Sequence, residues 1–138
     1  MEDKIKYIVC IIASVIVSFL GGWDVWLIAL ITVICLDVIT GIMKAILLHS
    51  NKSTSGGVSS TSMFHGSIKK VFILLMVALG TVLDTIISPD EVFIRIMIVS
   101  YYIANESLSI LENIGASGIP MPKALYKILD SLKSKNEK

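Results

Sequence analysis

The chain has 138 residues, enough for one domain, and 54% of them are hydrophobic while 17% are charged. Soluble proteins average about 45–50% apolar residues, with glycine counted, and about 25% charged residues. The mean hydropathy of +0.81 excludes an ordinary soluble domain, and the net charge of +1 gives no positive field for nucleic acid. The sequence contains no phosphate-binding loop or nucleophile motif, so we expect neither an enzyme nor a bound cofactor.

Potential metal ligands are few and poorly placed. Cys10 and Cys35 lie inside apolar stretches, whereas His49 and His65 lie in a polar segment. Structural zinc sites bring such ligands together in sets of about four, and a disulfide scaffold needs more cysteines. We therefore predict neither a metal site nor a disulfide framework.

Charges are concentrated outside a few long apolar stretches. Residues 7–43 contain only two charged side chains, Asp24 and Asp37, and residues 71–88 contain only Asp84. An α-helix that is apolar all round belongs in the core of a large protein or in a bilayer. The sequence therefore predicts an all-α integral membrane protein, folded as a helical bundle.

Four segments are long enough to cross a bilayer, whose hydrocarbon core of about 30 Å needs about 17–25 helical residues. These segments are residues 5–22, 25–43, 71–88 and 92–111. A polar loop, predicted over residues 44–70, joins the second to the third, and Arg95 and Glu106 interrupt the fourth. We predict four transmembrane helices; the alternative is three spans with one segment lying in the membrane interface.

The positions of the lysines predict the topology. Lysines occur before the first span, in the segment 44–70 and after the fourth span. The two tight turns, 21–24 and 88–91, contain three acids and no Lys or Arg. Because cytoplasmic loops of membrane proteins carry the excess of Lys and Arg, we expect both termini and the segment 44–70 to be cytoplasmic.

Two charged residues flank the second tight turn. Charged side chains within a span are costly in lipid and are functional by default. At about 1.5 Å per residue, Asp84 and Arg95 each lie about 6 Å from the turn at residues 88–91. We predict that they form an ion pair across this hairpin; the alternative is that Arg95 pairs with Glu91, one turn earlier, and that Asp84 faces water.

Five polar residues of the fourth span share one helical face, because they are spaced by seven, four, three and four positions. They are Arg95, Tyr102, Glu106, Ser109 and Asn113. Asp37 lies at the same predicted depth as Glu106, so these like charges avoid each other, share a proton or line water. The polar face points away from lipid, either as the wall of a water-filled lumen or as a buried seam within one subunit.

Small residues spaced by four positions offer packing surfaces for helices. The two pairs are Ser14 with Ser18 in the first span and Gly41 with Ala45 at the end of the second. Such spacing lets helix backbones approach closely. We interpret it as permissive for self-association into a homo-oligomer.

The last segment, residues 118–138, forms a tail that is separate from the transmembrane region 1–117. Two prolines near its start end the fourth helix, and the second, Pro122, suits the first position of a new helix. Four apolar residues then recur at helical spacing, with lysines on the other face: Leu125, Ile128, Leu129 and Leu132. This pattern predicts a short basic amphipathic helix that contacts anionic lipid headgroups or packs on the protein's own cytoplasmic loop.

Three stretches of the chain carry more specific motifs. They are Asp37-Val-Ile-Thr-Gly41 with Lys44-Ala45; Ser60 followed by Gly66-Ser-Ile-Lys69-Lys70 and an apolar run to Asp84; and Glu106-Ser-Leu-Ser-Ile-Leu-Glu-Asn113 followed by Gly118-Ile-Pro120-Met-Pro122-Lys123-Ala-Leu125. Taken together over residues 23–129, they resemble the phage-lysis and toxin-secretion holin family, which includes holins encoded beside large clostridial toxins. Met63 departs from the glycine that relatives often have, and the Ser/Gly-rich insert before it is long.

The resemblance implies a small protein that accumulates in the bacterial cytoplasmic membrane, self-associates and opens lesions at a set time. A peptidoglycan-degrading endolysin, or a large protein toxin in the toxin-linked relatives, then escapes, and an antiholin can act as a further partner. Two other classes remain open. One is a small-solute channel or transporter subunit, with Asp37, Asp84 and Glu106 on a proton or cation path, and the other is an anchor that recruits partners through its tail.

Overall fold

The structure, a computed structural model, describes residues 1–49, 60–87 and 89–136. Within these ranges the chain is helical and contains no β-strand. The helices are α1 Glu2–Phe19, α2 Val25–His49, α3 Ser60–Ile87, α4 Phe93–Ala116 and α5 Lys123–Asn136. The predicted all-α class is therefore confirmed.

The loop predicted over residues 44–70 is wrong for the described part of that range, which is helical. Helix α2 continues beyond residue 43 to His49, and α3 begins at Ser60, before the predicted start at residue 71. Hydropathy marks the apolar stretch of a helix, whereas the backbone hydrogen bonds continue into polar residues at both ends. The centre of the segment, residues 50–59, lies outside the described residues.

Two helices have the length and apolar composition to cross a membrane. They are Val25–Leu48 in α2 and Phe64–Ile87 in α3, which correspond to the second and third predicted spans. Helix α1 has 18 residues and carries four charges near its start, and α4 contains Arg95 and Glu106, so both are less apolar. The two apolar helices support a helical membrane protein.

Helix α1 buries none of its own side chains, although most of them are apolar. Ile11 is 63% exposed and Ile16 is 53% exposed, on different faces of the helix. A contiguous apolar surface of this kind marks contact with lipid or with another protein. The exposure of α1 is what a membrane environment would require.

Two glycines end α1 and reverse the chain into α2. The N–H of Gly22 donates to the carbonyl oxygen of Val17 at 2.9 Å, and the φ angles of Gly21 and Gly22 are 87° and 94°. Residues with a side chain rarely adopt such angles. The turn therefore depends on these glycines, and Leu20 just before them is buried.

The chain divides into two compact units, each made of two separate stretches. Unit 1 comprises Met1–Ile31 and Ile68–Tyr102, and unit 2 comprises Thr32–Ser67 and Ile103–Lys138. Unit 1 contains the buried apolar side chains found in the described part of the chain: Leu20, Leu27, Leu30, Ile73, Val77 and Val99. Its helix α3 turns one face inward, because the buried positions 73, 77, 80 and 84 recur at helical spacing.

The close approach of α3 and α4 in unit 1 depends on Gly80. A Cβ atom at this position would lie 3.1 Å from the Cα atom of Arg95 and 2.9 Å from the Cδ1 atom of Ile98. The backbone of α4 therefore occupies the space that a side chain on α3 would need. Gly80 is a glycine for packing reasons, since it lies within a regular helix.

We predict that Gly80→Leu lowers the free energy of unfolding by about 1–3 kcal/mol, the usual cost of overpacking, because the new side chain pushes α4 away. The matched control is Gly66→Leu on the same helix, where an added Cβ meets no atom within 4 Å and leucine is the better helix former. Thermal unfolding of the detergent-purified protein, followed by circular dichroism, measures both. Equal melting temperatures for the two variants would contradict the packing role of Gly80.

Candidate functional site

Arg95 is the largest side chain that unit 1 buries completely, with 1% of it exposed. Its Nη1 and Nη2 atoms donate to Oδ2 and Oδ1 of Asp24 at 2.6 and 3.1 Å. Its Nε atom donates to the carbonyl oxygen of Leu20 at 2.6 Å. Bidentate pairs between arginine and a carboxylate are among the strongest charge-assisted contacts, so α4 is firmly attached to the turn between α1 and α2.

Asp84, near the end of α3, binds the backbone at the start of α4. Its Oδ1 accepts a hydrogen bond from the N–H of Ile94 at 2.9 Å, and its Oδ2 accepts one from the N–H of Arg95 at 2.8 Å. The first N–H groups of a helix have no partner within it, and the helix dipole favours a carboxylate there. We call Leu20, Asp24, Asp84 and Arg95 the arginine clamp.

The predicted ion pair between the side chains of Asp84 and Arg95 is wrong, because Arg95 forms its ion pair with Asp24. Asp84 contacts the backbone of Arg95, whereas the guanidinium binds Asp24. The alternative is also wrong, because Asp84 is only 4% exposed and the guanidinium does not bind Glu91. The Asp84 carboxylate binds the backbone N–H groups at the start of α4. The long side chain of Arg95 instead reaches the turn between α1 and α2.

Asp24 has two roles at the start of α2. Its Oδ1 accepts a hydrogen bond from the N–H of Leu27 at 2.9 Å, which is the geometry of a helix N-cap. The Arg95 guanidinium that binds it holds the pKa of the Asp24 carboxyl below its usual value of 3.8. A carboxyl with a lowered pKa stabilises the fold above its usual pKa, and this contribution is lost as the pH falls through the lowered value.

Gly21 leaves the space that the Arg95 side chain occupies. A Cβ atom on Gly21 would overlap Nε of Arg95 and would lie 2.7 Å from its Cδ. The positive φ angle of Gly21 is a second reason for glycine at this position. The arginine clamp therefore includes a turn whose backbone is shaped around the guanidinium.

A second polar cluster lies within unit 2, where Asn113 of α4 contacts one face of α2. The Nζ atom of Lys44 donates to Oδ1 of Asn113 at 3.2 Å. The Nδ2 atom of Asn113 lies 3.3 Å from Oδ1 of Asp37 and 3.4 Å from Oγ1 of Thr40, and it donates to both. One neutral amide thus links a cation and an anion, and we call Asp37, Thr40, Lys44 and Asn113 the asparagine bridge.

The predicted polar face of α4 is turned inward in the structure. Arg95 and Glu106 are buried, and Tyr102, Ser109 and Asn113 are half-buried. Arg95 and Tyr102 belong to unit 1, whereas Glu106, Ser109 and Asn113 belong to unit 2. The face is therefore shared between the interiors of two units.

The predicted packing residues differ in exposure. Ser14 and Ser18 are exposed on α1, and the hydroxyl of Ser14 donates to the carbonyl oxygen of Cys10 at 2.8 Å. Gly41 and Ala45 are half-buried, and a Cβ atom on Gly41 would lie 3.6 Å from Nδ2 of Asn113. Gly41 therefore lies beside the asparagine bridge.

The remaining motif positions lie at or near the surface. Gly66 and Lys70 are half-buried, whereas the exposed positions are Lys69, Gly118, Pro120, Pro122 and Lys123. Helix α5 starts directly after Pro122, whose carbonyl oxygen accepts the N–H of Leu125 at 2.9 Å. Ile128 is 46% exposed, and the side chains of Leu129 and Leu132 lie outside the described part.

Asp24 and Thr40 were not among the predicted site residues, although the sequence contains a signal for each. Asp24 directly precedes an apolar helix, as an N-cap does, and the topology predicted from the lysines has its turn on the same side of the membrane as Arg95. Thr40 lies three residues after Asp37 and four before Lys44, which places the three on one helical face.

Among the described residues, no group of three His, Cys, Asp or Glu side chains is arranged to hold a metal.

The fold and its polar clusters define a helical membrane protein that keeps charged groups inside an otherwise apolar chain. The chain belongs to the bacteriophage holin family, which it matches over residues 14–134. The resemblance seen in the sequence motifs is thereby confirmed. No solved structure is detectably similar to this chain.

Relatives that match most of this chain occur in several bacteria and in a phage. An "uncharacterized 14.9 kDa protein in nagH 3′ region" of Clostridium perfringens is 35% identical over 98% of this chain and 99% of its own. An uncharacterized protein of Halalkalibacterium halodurans is 32% identical over the whole of both chains. A protein named "probable holin" from Bacillus phage phi105 is 29% identical over 87% of this chain and 83% of its own.

We predict that Asp24→Asn destabilises the protein by about 1–3 kcal/mol, because it removes the charge that faces the buried guanidinium of Arg95. Asparagine caps a helix as well as aspartate does, so the cap on α2 is retained. The effect stays below that of a fully buried pair, since the Asp24 side chain is 39% exposed and solvent screens it.

The control for this substitution is Asp90→Asn, which neutralises an exposed acid in the turn between α3 and α4. Surface changes of this kind usually alter stability by less than about 0.5 kcal/mol. Thermal unfolding in detergent at neutral pH compares the two variants with the unmodified protein. If both variants unfold at the same temperature, the Asp24 charge does not stabilise the arginine clamp.

Proposed function

We propose that this protein is a holin, which accumulates in the bacterial cytoplasmic membrane, self-associates and opens lesions at a set time. The family match over residues 14–134 carries the proposal, and a probable holin among the relatives supports it. Two helices of spanning length and the exposed apolar surface of α1 favour a membrane location. Family membership favours a pore-forming protein without enzymatic activity.

The proposed topology has four transmembrane helices, α1 to α4, with both termini in the cytoplasm. The lysine distribution supports it, because both tight turns lack basic residues. The arginine clamp removes the main objection to α4 as a span, since Arg95 meets Asp24 and backbone oxygen instead of lipid. Helix α5 then lies on the cytoplasmic surface, where its lysines meet anionic headgroups.

The proposed lesion forms in two stages. Copies of the chain first cluster through apolar and small-residue surfaces, of which the exposed face of α1 with Ser14 and Ser18 is one. Above a threshold number of copies, the polar faces around Glu106 and Ser109 turn toward one another and admit water. Water then hydrates the polar groups that lipid could not satisfy.

The proposed cargo is a folded protein without an export signal of its own. In a phage this is a peptidoglycan-degrading endolysin, and in toxin-linked relatives of the family it is a large protein toxin. An antiholin that joins the clusters would delay the threshold. The holin releases its cargo through the lesion and does not need to bind it.

We predict that inducible expression in a bacterium, together with a muralytic enzyme lacking a signal sequence, gives a silent lag followed by abrupt depolarisation and lysis. Neither protein alone should lyse the culture, because the enzyme needs a lesion to reach the cell wall. Culture turbidity and membrane potential are followed on one time axis. Depolarisation with the enzyme still inside the cell would favour a small-solute channel instead.

Two outcomes of this experiment separate the holin from an anchor protein. High membrane levels with no change in either signal would contradict pore formation. A chain without residues 123–138 should still depolarise cells if the helices α1 to α4 form the lesion. Complete loss of function in that variant, at an unchanged membrane level, would favour an anchor that acts through its tail.

We predict that Glu106→Leu combined with Ser109→Leu delays or abolishes lysis without lowering the level of the protein in the membrane. The polar face would then lack two of the groups that hold water in the opened state. The control is Glu112→Leu, which replaces an exposed acid on the same helix. Lysis timing, with membrane levels measured by immunoblot, checks the prediction; unchanged timing in the double variant would contradict it.

A further inference from the structure

The two units are filled with different kinds of side chain. Unit 1 has a core of buried apolar residues that surrounds the arginine clamp. In unit 2, the one buried side chain among those described is that of Glu106, which is 4% exposed. The most buried described position of unit 2 is therefore charged, and its described apolar side chains are at most half-buried, so apolar packing contributes less to keeping it closed than in unit 1.

The arginine clamp combines a buried cation with short contacts, although the Asp24 side chain is itself 39% exposed. Its guanidinium is 1% exposed and is held by short contacts of 2.6 Å to Asp24 and to Leu20. Removing one partner from a buried charge costs far more than the pair contributes to stability, because the remaining charge stays unpaired. Opening unit 1 would therefore require breaking its apolar core and its ion pair together.

The asparagine bridge has the opposite properties. Its hydrogen bonds measure 3.2–3.4 Å between heavy atoms, at or beyond the usual upper limit of about 3.2 Å for N–H···O bonds. Its members Asp37, Thr40, Lys44 and Asn113 are all half-buried, so water can replace each contact. Exchanging a hydrogen bond within the protein for one to water changes stability much less than leaving a buried polar group without a partner, so the asparagine bridge opens at low cost once water arrives.

We propose that the water path of the lesion is lined by the polar interior of unit 2, and that Arg95 lies outside it as a permanent structural clamp. The lining consists of the asparagine bridge and Glu106. This assignment rests on the proposed holin function and refines it, because it divides the polar face of α4 into a part that meets water and a part that stays bound to protein. Glu106 and Asn113 meet water, whereas Arg95 keeps its protein partners throughout.

The charges of the lining predict which ions the path prefers. They also predict how that preference changes when each charge is removed. It has two carboxylates, Asp37 and Glu106, and one ammonium group, Lys44. Charged side chains lining a pore favour ions of the opposite sign. The path should therefore prefer cations weakly, and the preference should fall when Glu106 is neutralised and rise when Lys44 is neutralised.

The test uses the purified full-length chain in phospholipid vesicles fused to a planar bilayer with a KCl gradient. The expected reversal potential of Glu106→Gln shifts toward that of an anion-selective path, and that of Lys44→Gln shifts the other way. Matched controls are Glu112→Gln and Lys4→Gln, which neutralise exposed charges and should leave the reversal potential unchanged. A reversal potential that is the same in all variants would overturn the assignment.

A second readout does not depend on neutralising a buried charge. In a chain with Cys10→Ser and Cys35→Ser, single cysteines are introduced as Ser109→Cys in unit 2 and Val99→Cys in the core of unit 1. A membrane-impermeant thiol reagent reaches a cysteine only from water, and buried cysteines are inert to it. It should therefore modify Ser109→Cys in open vesicles severalfold faster than Val99→Cys.

The outcomes separate this assignment from the proposed function. A wild-type chain that reaches the vesicles and conducts no ions contradicts the holin proposal and the water path with it. Conduction by the wild-type chain, with unshifted selectivity in the Glu106 and Lys44 variants, contradicts only the water path. Equal labelling of the two introduced cysteines does the same, because it would mean that unit 1 opens as well.

Discussion

A buried arginine has to be provided with partners, and this requirement organises unit 1. The guanidinium of Arg95 donates to the Asp24 carboxylate and to the Leu20 carbonyl oxygen, and the backbone N–H of Arg95 donates to the Asp84 carboxylate. Satisfying one residue thus fixes the end of α1, the start of α2, the end of α3 and the start of α4. Arg95 also requires glycine at positions 21 and 80, because a Cβ atom at Gly21 would overlap its side chain and one at Gly80 would lie against its backbone.

The sequence was sufficient to predict the all-helical membrane class, because long apolar stretches with few charges have few other solutions. It also identified Arg95 and Asp84 as neighbours. It could not predict that Asp84 would bind backbone, since the unpaired N–H groups at the start of α4 carry no sequence signature. Nor did hydropathy show that α2 extends to His49, because helix hydrogen bonds continue where the apolar stretch ends.

Partners from distant parts of the chain were the hardest to predict. Asp24 and Arg95 are 71 positions apart, and Lys44 and Asn113 are 69 apart. Spacing rules connect residues on one helix or across one turn, whereas these pairs join helices that are not consecutive. The sequence can therefore show the family and predict a polar face, whereas the proposed division of that face between a fixed clamp and a hydrated lining depends on contacts between distant residues.

The distance between Asp24 and Arg95 along the chain also sets an order of events during synthesis. Ribosomes add about 5–20 residues per second, so Arg95 emerges about 4 to 14 s after Asp24. During that interval the first helical hairpin exists without its guanidinium, and the Asp24 carboxylate caps α2 alone. The clamp is thus a late contact of biogenesis, and each newly made copy reaches its final shape only after its fourth helix has been made.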